Sequence, residues 1–216
     1  MAIDILGHIS PRVMYVTDAY CGWCYGFAPK LHAFHAANRA EVSFDVVSGG
    51  LFTGDRRRPI REYGHIPEAN ERIVRLTGVR FGEPYQELLR EGSFVLDSEA
   101  AAAGLVALRD QAPEQGIELV GAMQTAFYGE GRSLSDPETF AAIAQDFGLN
   151  AAQATHFMVG DEGRAAAQED FALAAALGAH SYPTLLLVKD GHVHKLPGIG
   201  GSVEAMNERL RNLLVS

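Results

Sequence analysis

The chain predicts an α/β protein in which a β-α-β unit and a β-β-α unit are separated by a long helical block. Three observations carry this. Short runs rich in β-branched residues lie only near the two ends of the chain. An Ala-rich pattern with helical periodicity fills the middle without a strand signal. The first two strand runs are separated by one helix of the length that a parallel crossover needs. With 216 residues, the chain is long enough for one large domain or for a domain with a sizeable insertion.

The elements follow in order. Arg12 to Asp18 (RVMYVTD) reads as the first strand. Cys21-Gly22-Trp23-Cys24 comes next, then FAPKLHAFHAANR, where Phe27, Leu31, Phe34 and His35 recur at helical spacing. Pro29 lies inside this helix and is expected to kink it. Val42 to Ser48 is the second strand, closed by Gly49-Gly50. The Gly-, Pro- and charge-rich stretch GLFTGDRRRPIREYGHIPEAN reads as a loop, and the helical block runs from about Pro67 to Leu177. Within it, Asp97-Ser98 cap one helix. Glu114 to Tyr128 reads as another, stopped at Gly129-Glu130-Gly131. Pro137 is a first-turn residue of the next. Asn150 caps a short helix to Val159, and Asp161 begins a longer one ending at Gly178. Thr184 to Val188 is an apolar strand, Lys189-Asp190-Gly191-His192 a hairpin turn, and Val193 to Leu196 its partner. Ser202 caps a last helix to Leu214.

Two parallel strands, an antiparallel hairpin and a closing helix describe a thioredoxin fold with a large all-helical insertion. The expected division is 1–62 and 178–216 for the thioredoxin-fold domain and 63–177 for the inserted helical domain.

Composition sets limits on function. Hydrophobic residues make up 47% and charged residues 21%, ordinary values for a soluble protein with a substantial core. The formal net charge of −9 argues against nucleic acid, which needs clustered Lys and Arg. The one basic run, Arg56-Arg57-Arg58, reads as a solvated loop, with an anion or partner contact as the other reading. The N-terminal MAIDILGHISPR lacks the pattern of a secretory signal, and no stretch approaches membrane-spanning length. The expectation is a cytoplasmic chain without a membrane partner.

The only two cysteines stand three residues apart. A structural disulfide between them would close a tiny loop and restrain little of the unfolded chain, and such bonds are rare in a reducing compartment. The pair therefore calls for a chemical role. It lies where a strand becomes a helix, and a helix N-terminus favours a thiolate, the nucleophilic form. Cys21 is expected to attack a disulfide with a lowered pKa. Cys24, one turn in and more buried, is expected to resolve the mixed disulfide. A zinc site is the rival on residue chemistry, since His192 and His194 form an H-x-H pair, but no second CxxC exists.

TDAYCGWCYGF, followed much later by Ser181-Tyr182-Pro183-Thr184, resembles the DsbA-like branch of the thioredoxin superfamily. It looks closest to the signal-less FrnE-like and predicted protein-disulfide isomerase group. The resemblance spans essentially the whole chain and includes Pro29, eight residues after the first cysteine. It implies a thiol-disulfide oxidoreductase without a cofactor or metal, acting on protein or small thiol and disulfide substrates, glutathione among them. It also implies a cis peptide bond before Pro183, facing the cysteines and exposing the Tyr182 backbone to an extended substrate. Trp23, Tyr182 and Pro183 then form the substrate-facing surface. Many relatives carry a buried carboxylate six residues before the first cysteine, where this chain has Tyr15. Asp18 is the candidate to replace it in proton transfer, and its alternative role is that of a strand-end turn residue.

Two further readings stand beside this one. Kappa-class transferases and hydroxychromene-carboxylate isomerases share the fold and the insertion, but they typically carry Ser in place of the first cysteine and lack the second. A non-catalytic binding protein on the same scaffold is the other, because a fold does not impose a function.

Overall fold

The computed structural model describes residues 10–215. The reading of the N-terminal stretch falls largely on residues 1–9, outside that range.

Strand β1 (Arg12–Thr17) pairs in parallel with β2 (Ser43–Ser48), from Arg12 opposite Ser43 to Thr17 opposite Ser48. On its other edge β1 runs antiparallel to β3 (Thr184–Lys189), which pairs with β4 (His192–Lys195), so the sheet order is β2-β1-β3-β4. The β3–β4 turn uses Asp190 and Gly191, both at positive φ, the conformation that the Asp-Gly pair predicts. β4 begins at His192, one residue earlier than the alternation suggested.

The two faces of β1 feed two cores, as strand alternation requires. Val13 and Tyr15 pack with Phe27, Leu31 and Phe34 of α1 (Gly22–Asn38). Met14 and Val16 face Val47, Leu186 and Val188 on the opposite side. Helix α1 runs unbroken through Pro29.

Seven helices lie between β2 and β3: α2 (Ile66–Thr77), α3 (Glu83–Glu91), α4 (Ser98–Arg109), α5 (Gly116–Gln124), α6 (Pro137–Asp146), α7 (Ala151–Val159) and α8 (Asp161–Ala176). The predicted caps form: Asp97 Oδ1 accepts from the Glu99 and Ala100 amides, and Asn150 Oδ1 from the Gln153 amide. Ser202 Oγ likewise accepts from the Ala205 amide ahead of α9 (Val203–Val215). The stretch Glu114 to Tyr128, expected as one helix, is instead a 3₁₀ turn (Pro113–Gln115), α5 and a π turn (Thr125–Gly129). The wide turn directs the Tyr128 carbonyl to the Gly82 amide, where the chains approach so closely that a Cβ on Gly82 would lie 1.9 Å from the Gly129 oxygen.

The insertion is bonded to the sheet. Arg109 of α4 donates to both carboxylate oxygens of Asp170 on α8 and to the Val46 carbonyl, while Asp170 Oδ2 accepts from the Ser48 amide. Side chains from the insertion and from β1, β2 and α1 share one continuous core. Among the described residues no helix is long and apolar enough to cross a membrane.

Candidate active site around Cys21 and Cys24

The strand-to-helix junction is built locally. After β1 the Cys21 amide donates to the Asp18 carbonyl (3.1 Å), closing the turn that aims the chain into α1. Cys21 is the N-cap of α1, with extended backbone, and its Sγ accepts from the Cys24 amide at 3.3 Å. The sulfur thus shares the Cys24 amide of the first turn with the Cys21 carbonyl, to which that amide also donates at 2.9 Å. From the far side of the sequence, 161 residues away, the Tyr182 carbonyl lies 3.6 Å from Cys21 Sγ. The Tyr182–Pro183 bond is cis. Both cysteines are free thiols; Cys21 is 5% exposed and Cys24 0%.

Cys21, Cys24, Trp23, Tyr182, Pro183 and Asp18 thereby gather at the end of β1 where α1 begins. Trp23 is partly buried, and the Arg72 guanidinium lies over its ring, 5.6 Å from the centroid. The Tyr182 hydroxyl donates to the Gly49 carbonyl. A Cβ at Gly49 would stand 2.0 Å from the Tyr182 ring, so this aromatic occupies the space that a side chain there would need. Asp18 is held by two amides, Tyr20 N to Oδ1 (3.0 Å) and Leu51 N to Oδ2 (2.7 Å). The turn role expected for Asp18 is therefore real.

Electrostatics depart from the sequence expectation at Cys21. Burial pushes its thiol pKa up, and the neighbouring Cys24 side chain and the Asp18 charge push the same way; the Cys24 amide lowers it. A helix N-terminus alone implied a lowered value, but packing removes the water that would solvate the thiolate. Burial also raises the Asp18 carboxyl, against the amides of Leu51 and Tyr20. Tyr15, at the position where a carboxylate was the family expectation, is fully buried with its hydroxyl pushed well up by burial and by Cys24.

The sequence reading missed the roof over the cysteines. A cavity of about 110 Å³ beside Cys21 and Trp23 is walled by Asn70 of α2, Tyr85 of α3 and Tyr128 of the π turn. Ile73 of α2 lies where a Cβ at Gly22 (3.0 Å) or Gly26 (2.8 Å) would point, so α2 rests on the glycine face of α1. Asn70 donates to the Tyr85 hydroxyl at 3.0 Å. No spacing in the sequence ties these residues to the motif; only the glycines flanking the cysteines hinted at a close neighbour. His192 and His194 lie on β4, at the sheet edge, two strands from β1. Among the described residues no three His, Cys, Asp or Glu side chains cluster as a metal site.

The family model of the DSBA-like thioredoxin domain matches residues 12–210. A comparison with curated proteins finds no match. Among solved structures, a candidate protein disulfide isomerase from Nitrosomonas europaea aligns with a TM-score of 0.83 at 23% identity, over 95% of this chain and 98% of that one. The cytosolic disulfide reductase DsbM from Pseudomonas aeruginosa aligns with a TM-score of 0.80 at 27% identity, over 95% and 100%. The same reductase solved with glutathione gives a TM-score of 0.77 at 28% identity, over 95% and 100%. A 2-hydroxychromene-2-carboxylate isomerase shares the fold at 15% identity, with a TM-score of 0.64 over 94% and 95%. With the family model spanning strands, insertion and closing helix alike, this chain belongs to the DSBA-like thioredoxin domain family.

Proposed function

We propose that this chain is a cytoplasmic thiol-disulfide oxidoreductase that works in the reducing direction. The carrying observation is the seat of Cys21: an N-cap sulfur that accepts the Cys24 amide, 3.6 Å from the Tyr182 carbonyl, with Cys24 buried behind it. Cys21, as thiolate, attacks one sulfur of a substrate disulfide and expels the other as a thiolate. Cys24 then attacks Cys21 Sγ, forms the Cys21–Cys24 disulfide and releases the second substrate thiolate. The substrate is reduced by two electrons and the enzyme oxidised by two. Trp23, Tyr182 and Pro183 form the surface for an extended substrate, with the Tyr182 backbone as its hydrogen-bonding edge. Asp18 receives the proton that Cys24 gives up. Residues 1–62 and 178–216 carry the motif, and the insertion, 63–177, roofs it.

Burial supports the direction. A strong oxidant of this kind owes its potential to a stabilised reduced form. Here desolvation raises Cys21, which disfavours its thiolate, and the uncharged disulfide carries no such penalty. Similarity to a cytosolic disulfide reductase supports the same direction and compartment, and the glutathione complex of that protein supports glutathione as the thiol that resets the enzyme. The intact cysteine pair argues against the glutathione-transferase reading.

Equilibration with glutathione buffers, followed by the fluorescence of Trp23, tests this. The expected midpoint is more reducing than about −200 mV. A midpoint near about −120 mV, that of a strong oxidant, overturns the direction. Failure of Cys21 and Cys24 to form a disulfide at any poise overturns the reading itself.

A further inference from the structure

Cys24 has no exposed surface, yet it must shed a proton to resolve a mixed disulfide. The proton can leave only through buried groups. Tyr15 and Thr17 stand two residues apart on β1 and so share the strand face that looks toward α1, where the Cys24 and Thr17 side chains both influence the Tyr15 hydroxyl. Neither Tyr15 Oη nor Thr17 Oγ1 has a hydrogen-bond partner, although both atoms are buried. Two unsatisfied buried hydroxyls on one strand face are costly unless they serve a purpose. Beyond Thr17 lies a small cavity of about 10 Å³, lined on its polar side by Thr17, Asp18, Ser48 and Ser98. That is room for one water with three or four polar partners.

We propose that Tyr15 and Thr17 relay the proton of Cys24, through one water in this cavity, to the Asp18 carboxylate. The inference rests on the exchange reading above. Each hydroxyl receives one proton and passes one on, so no phenolate forms. The Cys24 S–H bond breaks and an Asp18 O–H bond forms, while the sulfur electron pair makes the bond to Cys21 and the substrate sulfur departs with its own pair. When a thiol later reduces the Cys21–Cys24 disulfide, Cys24 leaves as a thiolate and the same chain returns its proton. Burial raises the proton affinity of Asp18, which suits an acceptor, and the Tyr20 and Leu51 amides hold it in place. The charged and titratable groups facing it are Arg56, Tyr20, Tyr128, Tyr182 and Cys21. Those facing Tyr15 are Cys24 and Cys21.

The test separates attack from resolution. Reduced protein is mixed with oxidised glutathione, quenched with acid at intervals and weighed by mass spectrometry. The glutathionylated form reports attack by Cys21, and its decay to the internal disulfide reports resolution. In Tyr15→Phe and in Thr17→Val, resolution is expected to slow by about 10- to 100-fold while attack is unchanged, and the double variant is no slower than the slower single one. The unsubstituted protein should resolve at a rate that levels off once Asp18 is ionised. The variants should instead climb with hydroxide throughout. Resolution within about two-fold of the parent in either variant overturns the relay, Thr17→Val carrying the test alone if Tyr15→Phe does not fold. A parent protein that forms neither the adduct nor the internal disulfide overturns the exchange reading, and the relay with it; a parent that completes both steps beside unaffected variants overturns the relay only.

Discussion

Cys21 and Cys24 lie one helical turn apart, and their surroundings are opposite in kind. Around Cys21 the chain supplies hydrogen-bonding edges that face a ligand: the first-turn amide of Cys24, the Tyr182 carbonyl and a cavity of about 110 Å³ walled by helices of the insertion. Cys24 itself has no exposed surface, and the Tyr15 hydroxyl beside it, like Thr17 and Asp18 further along the chain, is buried. The first setting suits capture of a sulfur from outside. The second suits moving a proton away from bulk water. On the exchange reading proposed above, this contrast would give two chemically identical thiols different tasks, because a buried group responds to its few nearest polar neighbours.

The largest test of this contrast is to remove each sulfur in turn. Cys21→Ser should abolish disulfide exchange, by at least about a thousand-fold in the rate of reduction of a small disulfide. Cys24→Ser should keep the attack and stall afterwards, leaving a stable mixed disulfide on Cys21 visible by mass spectrometry. If Cys24→Ser instead accumulates no adduct and Cys21→Ser does, the roles are reversed. Next comes the wall of the Cys21 side. Gly49→Val places a side chain where the Tyr182 ring stands, and should destabilise the fold by about 1–3 kcal/mol in denaturant unfolding while slowing attack. Tyr182→Phe, which loses only the bond to the Gly49 carbonyl, should cost about 1 kcal/mol.

Asp18 couples the two sides, and its substitution has a defined sign. Its negative charge raises the Cys21 thiol, so Asp18→Asn should lower the pH at which Cys21 becomes reactive toward an alkylating reagent. In stability the folded state favours the protonated acid, because burial raises this carboxyl above 3.8. That contribution is full below the ordinary carboxylate value and is lost as pH rises through the raised one. Asp18→Asn should remove this loss, seen as a flatter curve of unfolding midpoint against pH; an unchanged curve would show that Asp18 titrates as in the unfolded chain. The smallest effect belongs to the rim. Arg72→Ala should cost about 0.5 kcal/mol and alter the Trp23 emission, with attack within about two-fold of the parent.

Much of the fold was legible because its signals are local. The helix caps at Asp97, Asn150 and Ser202 rest on side chains that reach amides two or three residues on. The Asp190-Gly191 turn rests on backbone preference. The break of the expected helix near Gln124 was not legible, since the π turn answers to the close approach of Gly82 and Gly129. In the site, the cysteine pair and its place at a strand-to-helix junction could be read, because spacing alone brings both sulfurs to the first turn. The roof of Asn70, Tyr85 and Tyr128 could not, since its members come from three elements with no shared periodicity.

By itself, then, the sequence determined the order of strands and helices, the position of Cys21 at a strand-to-helix junction and the identity of the only two thiols. The resemblance implied that the Tyr182 backbone faces the cysteines, but only the tertiary structure set its carbonyl 3.6 Å from Cys21 Sγ across 161 residues and left the Tyr15 and Thr17 hydroxyls buried without partners. The tertiary structure also reversed the expected shift of the Cys21 thiol. A helix terminus acts through amides a few residues away and can be read along the chain. Desolvation depends on every atom that displaces water, and those atoms are assembled only when the chain has folded.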